Sequence, residues 1–157
     1  MTETCCCTPA SQTPVDPCCP VNGEKGKGVQ LITLKSLLKP SALEELEPNT
    51  DYFFCGTPDC QVVYFNSEGQ IFTTDQIKVP VFQKDEGLDV PVCYCFGWTR
   101  ERIQQEITQT GRSSAEISIR NHVRAKRCGC EVNNPQGSCC LANVRQVTRK
   151  FQQDEKK

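Results

Sequence analysis

Apolar and polar positions divide the chain into a strand-rich part and a helical part. In the first part, three short segments carry mainly aromatic and β-branched side chains, which is typical of strands. They cover residues 52–55, 61–65 and 70–73. A turn with the sequence Asn-Ser-Glu-Gly joins the last two. An apolar run over 31–38 and a short predicted helix over 41–46 precede these strands.

Two further extended pieces, 79–82 and 90–92, contain proline, which places them at sheet edges or strand ends. After Trp98 the apolar residues recur every three or four positions, which predicts helices. Thr99 can cap a first helix that ends at Gly111. The apolar stripes of the three helices are Ile103 and Ile107, then Ala115, Ile119 and Val123, then Leu141, Val144, Val147 and Phe151.

These patterns predict an α+β fold in which a β-rich half over 29–92 is followed by a helical half over 93–152. Residues 1–28 have almost no large apolar side chains, so we expect a disordered arm there. Residues 153–157 are expected to form a charged tail.

Composition favours metal ions as the support for this small core. The chain has 13 cysteines, one histidine and a formal net charge of −1. Its N-terminus lacks the basic and apolar regions of a signal peptide, and no apolar run is long enough to span a membrane. We therefore expect a cytoplasmic protein without membrane insertion. In a reducing compartment, cysteines bind metals more often than they form disulfides.

Eight of the cysteines form four close pairs, each beside a turn or the end of an element. The pairs are Cys55 with Cys60, Cys93 with Cys95, Cys128 with Cys130, and Cys139 with Cys140. Two pairs make a four-thiolate site, which holds zinc or an iron–sulfur cluster, so the count predicts two such sites. Buried free thiols are the alternative, but four local pairs favour metal.

The order of these pairs resembles a known family. Cys93-x-Cys95, followed by two helices and a cysteine cluster, resembles the [2Fe–2S] domain of bacterioferritin-associated ferredoxin. Over residues 29–150 the chain looks like the N-terminal domain of archaeal-type CopZ copper chaperones. The matching segments are Phe54-Cys55-Gly56-Thr57-Pro58-Asp59-Cys60, Val92-Cys93-Tyr94-Cys95-Phe96, and Cys128-Gly129-Cys130 through Cys139-Cys140. The resemblance implies one zinc ion and one [2Fe–2S] cluster in a single domain.

The ligands can be divided between the two sites in more than one way. The resemblance places Cys93 and Cys95 on the cluster, whereas Cys55 and Cys60 lie in the other half and are assigned to zinc. For the remaining four, we expect Cys130 and Cys140 on the cluster and Cys128 and Cys139 on zinc. The reverse division stays open, and so does Asp59 as an oxygen ligand to zinc.

Three functions compete at this point. The favoured one is a redox protein of copper handling that passes single electrons through [2Fe–2S] and reduces Cu(II) to Cu(I). The second is a zinc-only structural or interaction module. The third is a ferredoxin-like electron carrier unrelated to copper. The sequence carries no catalytic motif, so a metal-binding or electron-transfer protein is expected rather than an enzyme.

Copper itself is expected on the arm. The copper-binding module of the full chaperones has a Cys-x-x-Cys loop, and this sequence has none. A flexible arm with several thiolates can supply the two or three soft ligands that Cu(I) prefers. The candidate Cu(I) ligands are Cys5, Cys6, Cys7, Cys18 and Cys19.

The last two helices are basic. Residues 112–150 contain eight Lys or Arg and two Glu. Such a surface can dock an acidic redox partner, and a copper-transport protein is a further candidate partner. Nucleic acid is not an expected partner, since the whole chain carries almost no net charge.

Overall fold

The computed structural model describes residues 17–155, so Cys5, Cys6 and Cys7 lie outside the described residues. The strands are β1 (Lys27–Val29), β2 (Tyr52–Phe54), β3 (Val62–Asn66), β4 (Ile71–Thr73), β5 (Pro91–Cys93) and β6 (Trp98–Thr99). The α-helices are α1 (Leu31–Leu37), α2 (Pro40–Leu43), α3 (Arg100–Thr110), α4 (Ala115–Arg124), α5 (Cys130–Asn133) and α6 (Leu141–Glu155). A short 3-10 helix spans Thr74–Gln76. The fold is α+β, as the sequence predicts.

Strands β1 to β4 form an antiparallel sheet in that order. Side chains alternate between the two faces of a strand, so neighbouring residues of β2 and β3 enter different cores. Phe54 and Tyr64 pack on the face that α1 covers. Phe53 and Phe65, paired across the strands, pack on the other face beside cysteines. All five residues of β3 are therefore buried.

The helical half has its own core around the hairpin of β5 and β6. Helices α3 and α4 pack on α6, which also contacts β5. The stripe residues Ile103, Ile107, Ile119 and Val144 are buried in this core together with Trp98. Thr99 caps α3 by accepting a hydrogen bond from the Arg102 amide, and Gly111 ends it in the left-handed conformation with φ 85°. These features agree with the helical pattern of the sequence.

Three boundaries differ from the sequence-based expectations. The described chain is already folded before Val29, because β1 pairs with β2 and Cys18 bridges to Lys25. Helix α6 continues to Glu155, since its polar end residues simply extend an amphipathic helix. The piece 79–82 forms no strand. Within residues 17–155, no helix is both long and apolar enough to cross a membrane.

Candidate metal centres

Three buried thiols form what we call the first centre: Cys19, Cys55 and Cys60. Their sulfur atoms all lie within 4.8 Å of one another, and the Sγ atoms of Cys19 and Cys60 are 3.9 Å apart. None of the three is more than 6% exposed. A disulfide would bring two sulfurs to about 2.05 Å, so these thiols are unbonded and converge on one point.

Local structure explains how distant residues meet here. Cys55 directly follows β2 and continues the alternation of Phe53, which aims it at the sheet face opposite α1. Its amide donates to the Val63 carbonyl, so the ladder still holds this position. Cys60 closes the loop that leads into β3. The turn over residues 18–25 then folds Cys19 onto the same face.

The turn can approach this closely because Gly26 has no side chain. A Cβ atom there would lie 2.4 Å from the Phe65 ring and 2.9 Å from the Phe53 Cβ atom. Such distances are far shorter than van der Waals contact. Because few apolar residues surround Cys19 in the sequence, it is expected on a disordered arm as a Cu(I) ligand. The structure instead buries Cys19 against the sheet, and Cys18 next to it is exposed.

Positive charge and hydrogen bonds surround the first centre. Burial raises the pKa of the Cys60 thiol. Burial also acts to raise the pKa of Cys55, but hydrogen bonds from Thr57 and Asn22 and the charge of Lys84 outweigh it and lower that pKa. Lys84 donates to the carbonyl oxygens of Thr57 and Cys60, at 2.7 and 2.8 Å. At Cys55 the surroundings therefore favour the thiolate, the form that binds metal.

A second group of thiols lies in the helical half, and we call Cys93, Cys95, Cys130 and Cys140 the second centre. The Sγ atoms of Cys95 and Cys130 are 3.8 Å apart, and the thiols of Cys93 and Cys140 lie near enough for each to shift the pKa of the other. The hairpin turn between β5 and β6 presents Cys93 and Cys95 on one side. Cys130 begins α5, and Cys140 immediately precedes α6.

Backbone and side-chain donors point at the second centre. The Gly129 amide lies 3.2 Å and the Asn133 side-chain nitrogen 3.5 Å from the Cys95 sulfur, and both donate to it. The hydrogen bond from Cys140, against the opposing effect of burial, lowers the pKa of Cys93 to about 7. Donors aimed at sulfur stabilise thiolates and tune iron–sulfur clusters.

Both centres pass a simple geometric test for metal binding. Two thiolates at about 2.3 Å from one tetrahedral ion are separated by about 3.8 Å. The measured separations, 3.9 Å in the first centre and 3.8 Å in the second, match this value. The thiols of the first centre and the Cys95–Cys130 pair of the second therefore fit a thiolate-bound metal.

The remaining predicted ligands lie elsewhere. Cys128 and Cys139, expected on zinc with Cys55 and Cys60, are instead close enough to Cys130 to raise its pKa by their charges, although burial contributes more. Cys139 is exposed. Cys19 supplies the third thiol that the sequence reasoning assigned to copper. The feature of the sequence that points to Cys19 as a ligand is its place in a close cysteine pair, Cys18-Cys19, like the four other close pairs. Asp59 is exposed beside Cys60.

Comparison with known proteins gives consistent matches. Residues 16–78 match the family zf_CopZ, described as a zinc binding domain. The chain is 30% identical over 122 residues to the copper chaperone CopZ of Archaeoglobus fulgidus, covering 78% of this chain and 57% of that protein. It also matches the X-ray structure of the N-terminal domain of that CopZ, with a TM-score of 0.69, 27% identity, and coverage of 83% of this chain and 97% of that one.

The family match begins just before the Cys18-Cys19 pair and extends past Cys60, so it contains the whole first centre. The structural match extends over the helical half as well, since it covers 83% of the chain. Residues 16–78 therefore belong to the CopZ-type family of zinc-binding domains, in a chain that shares the fold of the N-terminal domain of Archaeoglobus fulgidus CopZ.

Proposed function

We propose that this protein binds zinc at the first centre and a [2Fe–2S] cluster at the second, and serves as a one-electron redox protein in copper handling. The observation that carries the redox part is the arrangement of the second centre: two thiol pairs, with Cys95 accepting hydrogen bonds from Gly129 and Asn133. Copper handling rests on similarity to a copper chaperone, of which this chain spans 57%.

Zinc is assigned four donors, three of which converge in the structure as Cys19, Cys55 and Cys60. We assign the fourth position to Cys18, because a thiolate adjacent to Cys19 is within one residue of the site and zinc prefers thiolates in structural sites. Asp59, next to Cys60, is the oxygen alternative. A zinc ion with four protein ligands leaves no open position for a substrate, so we assign this site a structural role.

The cluster is assigned to Cys93, Cys95, Cys130 and Cys140. When bound, such a cluster supplies a one-electron couple. The substrate is Cu(II), which gains one electron and becomes Cu(I), the ion that soft thiolate ligands of a copper-transport partner accept. Three guanidinium groups lie near a single carboxylate, that of Glu116. They belong to Arg120 in α4 and to Arg145 and Arg149 in α6. That net positive surface suits an acidic redox partner.

Metal analysis and visible spectroscopy of anaerobically purified protein test this proposal. We expect one zinc and two iron per chain, with visible bands that bleach with dithionite. The matched variants are Cys95→Ser, which should lose the visible bands and keep zinc, and Cys60→Ser, which should lose zinc. A colourless protein with two zinc per chain would establish the zinc-only module instead.

The copper step has its own assay. Dithionite-reduced protein, freed of excess reductant, is mixed with Cu(II) and a chromophoric Cu(I) chelator. One Cu(I) should form for each cluster that is reoxidised. Absence of Cu(I) while the cluster transfers its electron to another acceptor would favour a ferredoxin-like carrier unrelated to copper.

A further inference from the structure

Three consecutive residues, Phe82, Gln83 and Lys84, connect the two thiol centres, and we call them the bridge. They lie between the sheet half and the hairpin that carries Cys93 and Cys95. Each residue makes a contact in a different direction. The bridge has no place in either proposed set of metal ligands, so its contacts need an explanation of their own.

Lys84 holds the loop of the first centre. Its Nζ atom donates to the carbonyl oxygens of Thr57 and Cys60, 2.7 and 2.8 Å away. These two carbonyls belong to the loop between Cys55 and Cys60, so one ammonium group fixes the path of the backbone between two ligands. The Lys84 side chain is partly buried, and a charged hydrogen bond there is stronger than one in water.

Gln83 holds the loop of the second centre. Its Nε2 atom donates to the Gln136 side-chain oxygen at 2.6 Å, and Gln136 in turn donates to the Cys139 carbonyl at 2.9 Å. Gln136 is 8% exposed. Residues 131–139 separate Cys130 from Cys140, so this chain of bonds fixes the spacing between two ligands of the second centre.

Phe82 completes the connection to the hairpin. Its amide donates to the Tyr94 hydroxyl at 2.9 Å, and that hydroxyl donates to the Pro80 carbonyl at 2.5 Å. Tyr94 lies between Cys93 and Cys95. Each bridge residue therefore hydrogen-bonds to a segment that carries metal ligands or to a residue that contacts one. Because the three residues are consecutive, a displacement of one is transmitted to the others.

Strand β3 and helix α1 each make one further contact with the segment between Cys130 and Cys140. The Tyr64 hydroxyl donates to the Pro135 carbonyl at 2.5 Å. The Thr33 hydroxyl donates to the Glu131 carbonyl at 2.7 Å, where α1 packs on α5. The half of the chain that carries the first centre thus also contacts Glu131 and Pro135.

We propose that the bridge couples the two centres, so that zinc at the first centre organises the thiols of the second, with Lys84 and Gln83 as positioning residues. Zinc fixes the loop from Cys55 to Cys60, and this loop holds the Lys84 side chain in place. Because Gln83 is the neighbouring residue, its hydrogen bond to Gln136 is held as well. Gln136 in turn sets the spacing of the second-centre ligands. Coupling between sites is reciprocal, so an occupied second centre also retains zinc more tightly at the first. This inference rests on the proposed metal binding at the two centres.

The test uses the full chain, reduced and freed of metal, with zinc as the probe. Alkylation rates of Cys93, Cys95, Cys130 and Cys140 are measured residue by residue by mass spectrometry, without zinc and with one zinc per chain. In the unaltered protein, we expect zinc to slow alkylation of these four thiols by at least about fivefold, the lower end of typical coupling.

Two bridge variants and one matched control make the result specific. Lys84→Met and Gln83→Leu should keep zinc at the first centre and lose most of the protection at the second. Lys78→Met removes a lysine that donates to a carbonyl outside the bridge, that of Ser36, and should keep the full protection. Equal protection in the bridge variants and in the unaltered protein would overturn the proposal.

The double variant Cys19→Ser, Cys60→Ser, which removes two of the three converging thiols of the first centre, separates coupling from direct zinc binding at the second centre. If zinc still protects the second-centre thiols in this variant, zinc sits on them directly and the coupling is refuted. The outcome is independent of the cluster: a protein purified without visible colour contradicts the proposed function, whereas a coloured protein without zinc-dependent protection contradicts only the coupling.

Discussion

Replacing Cys19 by Ser should weaken zinc binding by a factor of about 10² to 10³. A structural four-thiolate zinc site contributes about 10–16 kcal/mol, so an equal share for one thiolate is about 2.5–4 kcal/mol. Each 1.4 kcal/mol or so is a factor of ten in affinity. Cys19 is 2% exposed and lies with Cys55 and Cys60 within 4.8 Å, so no solvent ligand replaces it without opening the turn.

The assay is competition for zinc against a chromophoric chelator, with circular dichroism to confirm that the variant is folded. Cys139→Ser is the matched control, because Cys139 is exposed and lies outside the first centre. Its zinc affinity should stay within about fivefold of that of the unaltered protein, the lower end of typical coupling between sites. If Cys139→Ser loses zinc while Cys19→Ser keeps it, the first centre is built from a different set of thiols than the structure indicates.

Three further perturbations test the fold. Gly26→Val should weaken zinc binding because its Cβ would lie 2.4 Å from the Phe65 ring, whereas Gly28→Ala, with 4.0 Å to the nearest ring atom, should not; the same zinc competition measures both. Ile119→Ala should lower the free energy of unfolding by about 2–5 kcal/mol in urea, while Ile117→Ala on the same helix, 64% exposed, should change it by less than about 0.5 kcal/mol. The hydrogen bond from Arg145 holds the pKa of Glu116 below its usual range, although desolvation opposes it. The Glu116 carboxylate therefore stabilises the fold at pH values above its unfolded pKa of about 4.3. That stability is lost as the pH falls through the lower folded pKa. Glu116→Gln should therefore flatten the acid part of the stability curve between about pH 5 and pH 3, and an unchanged slope would contradict that contribution.

Much of the fold is encoded in local patterns that a sequence displays directly. The aromatic and β-branched side chains of residues 52–55 and 61–65 predict strands, and strands form at Tyr52–Phe54 and Val62–Asn66. Thr99 and Gly111 mark the ends of α3 because cap residues act within one turn of the helix. The pairing of cysteines beside turns indicated two thiol-rich centres, one in each half, since thiols at element ends are placed by local structure.

The division of cysteines between the centres could not be predicted from local patterns. Cys19 lies 36 residues before Cys55 and reaches it because the turn over residues 18–25 folds onto the sheet. This approach needs a glycine at position 26, since a Cβ atom there would collide with Phe65 and Phe53. These phenylalanines are far from Gly26 in the sequence, so local patterns do not reveal the contact. Cys139 and Cys140 are adjacent but differ in exposure. The direction of each thiol depends on where helix α6 begins. The spacing of the cysteines in the sequence does not specify that position.

Burial of β3 on both sides has a consequence for the protein when it is starved of metal. One side of the strand is covered by helix α1, but the other side, with Phe65 and its partner Phe53, is covered mainly by the turn that brings Cys19 into place. The turn contributes Cys19 to the apolar cluster on this face, so we expect zinc bound to Cys19 to help keep the turn closed. Once zinc is lost, the turn can lift and expose an aromatic strip on a sheet surface, which is the kind of surface that drives self-association. Metal scarcity would then limit this protein first through its colloidal behaviour and only afterwards through loss of its fold.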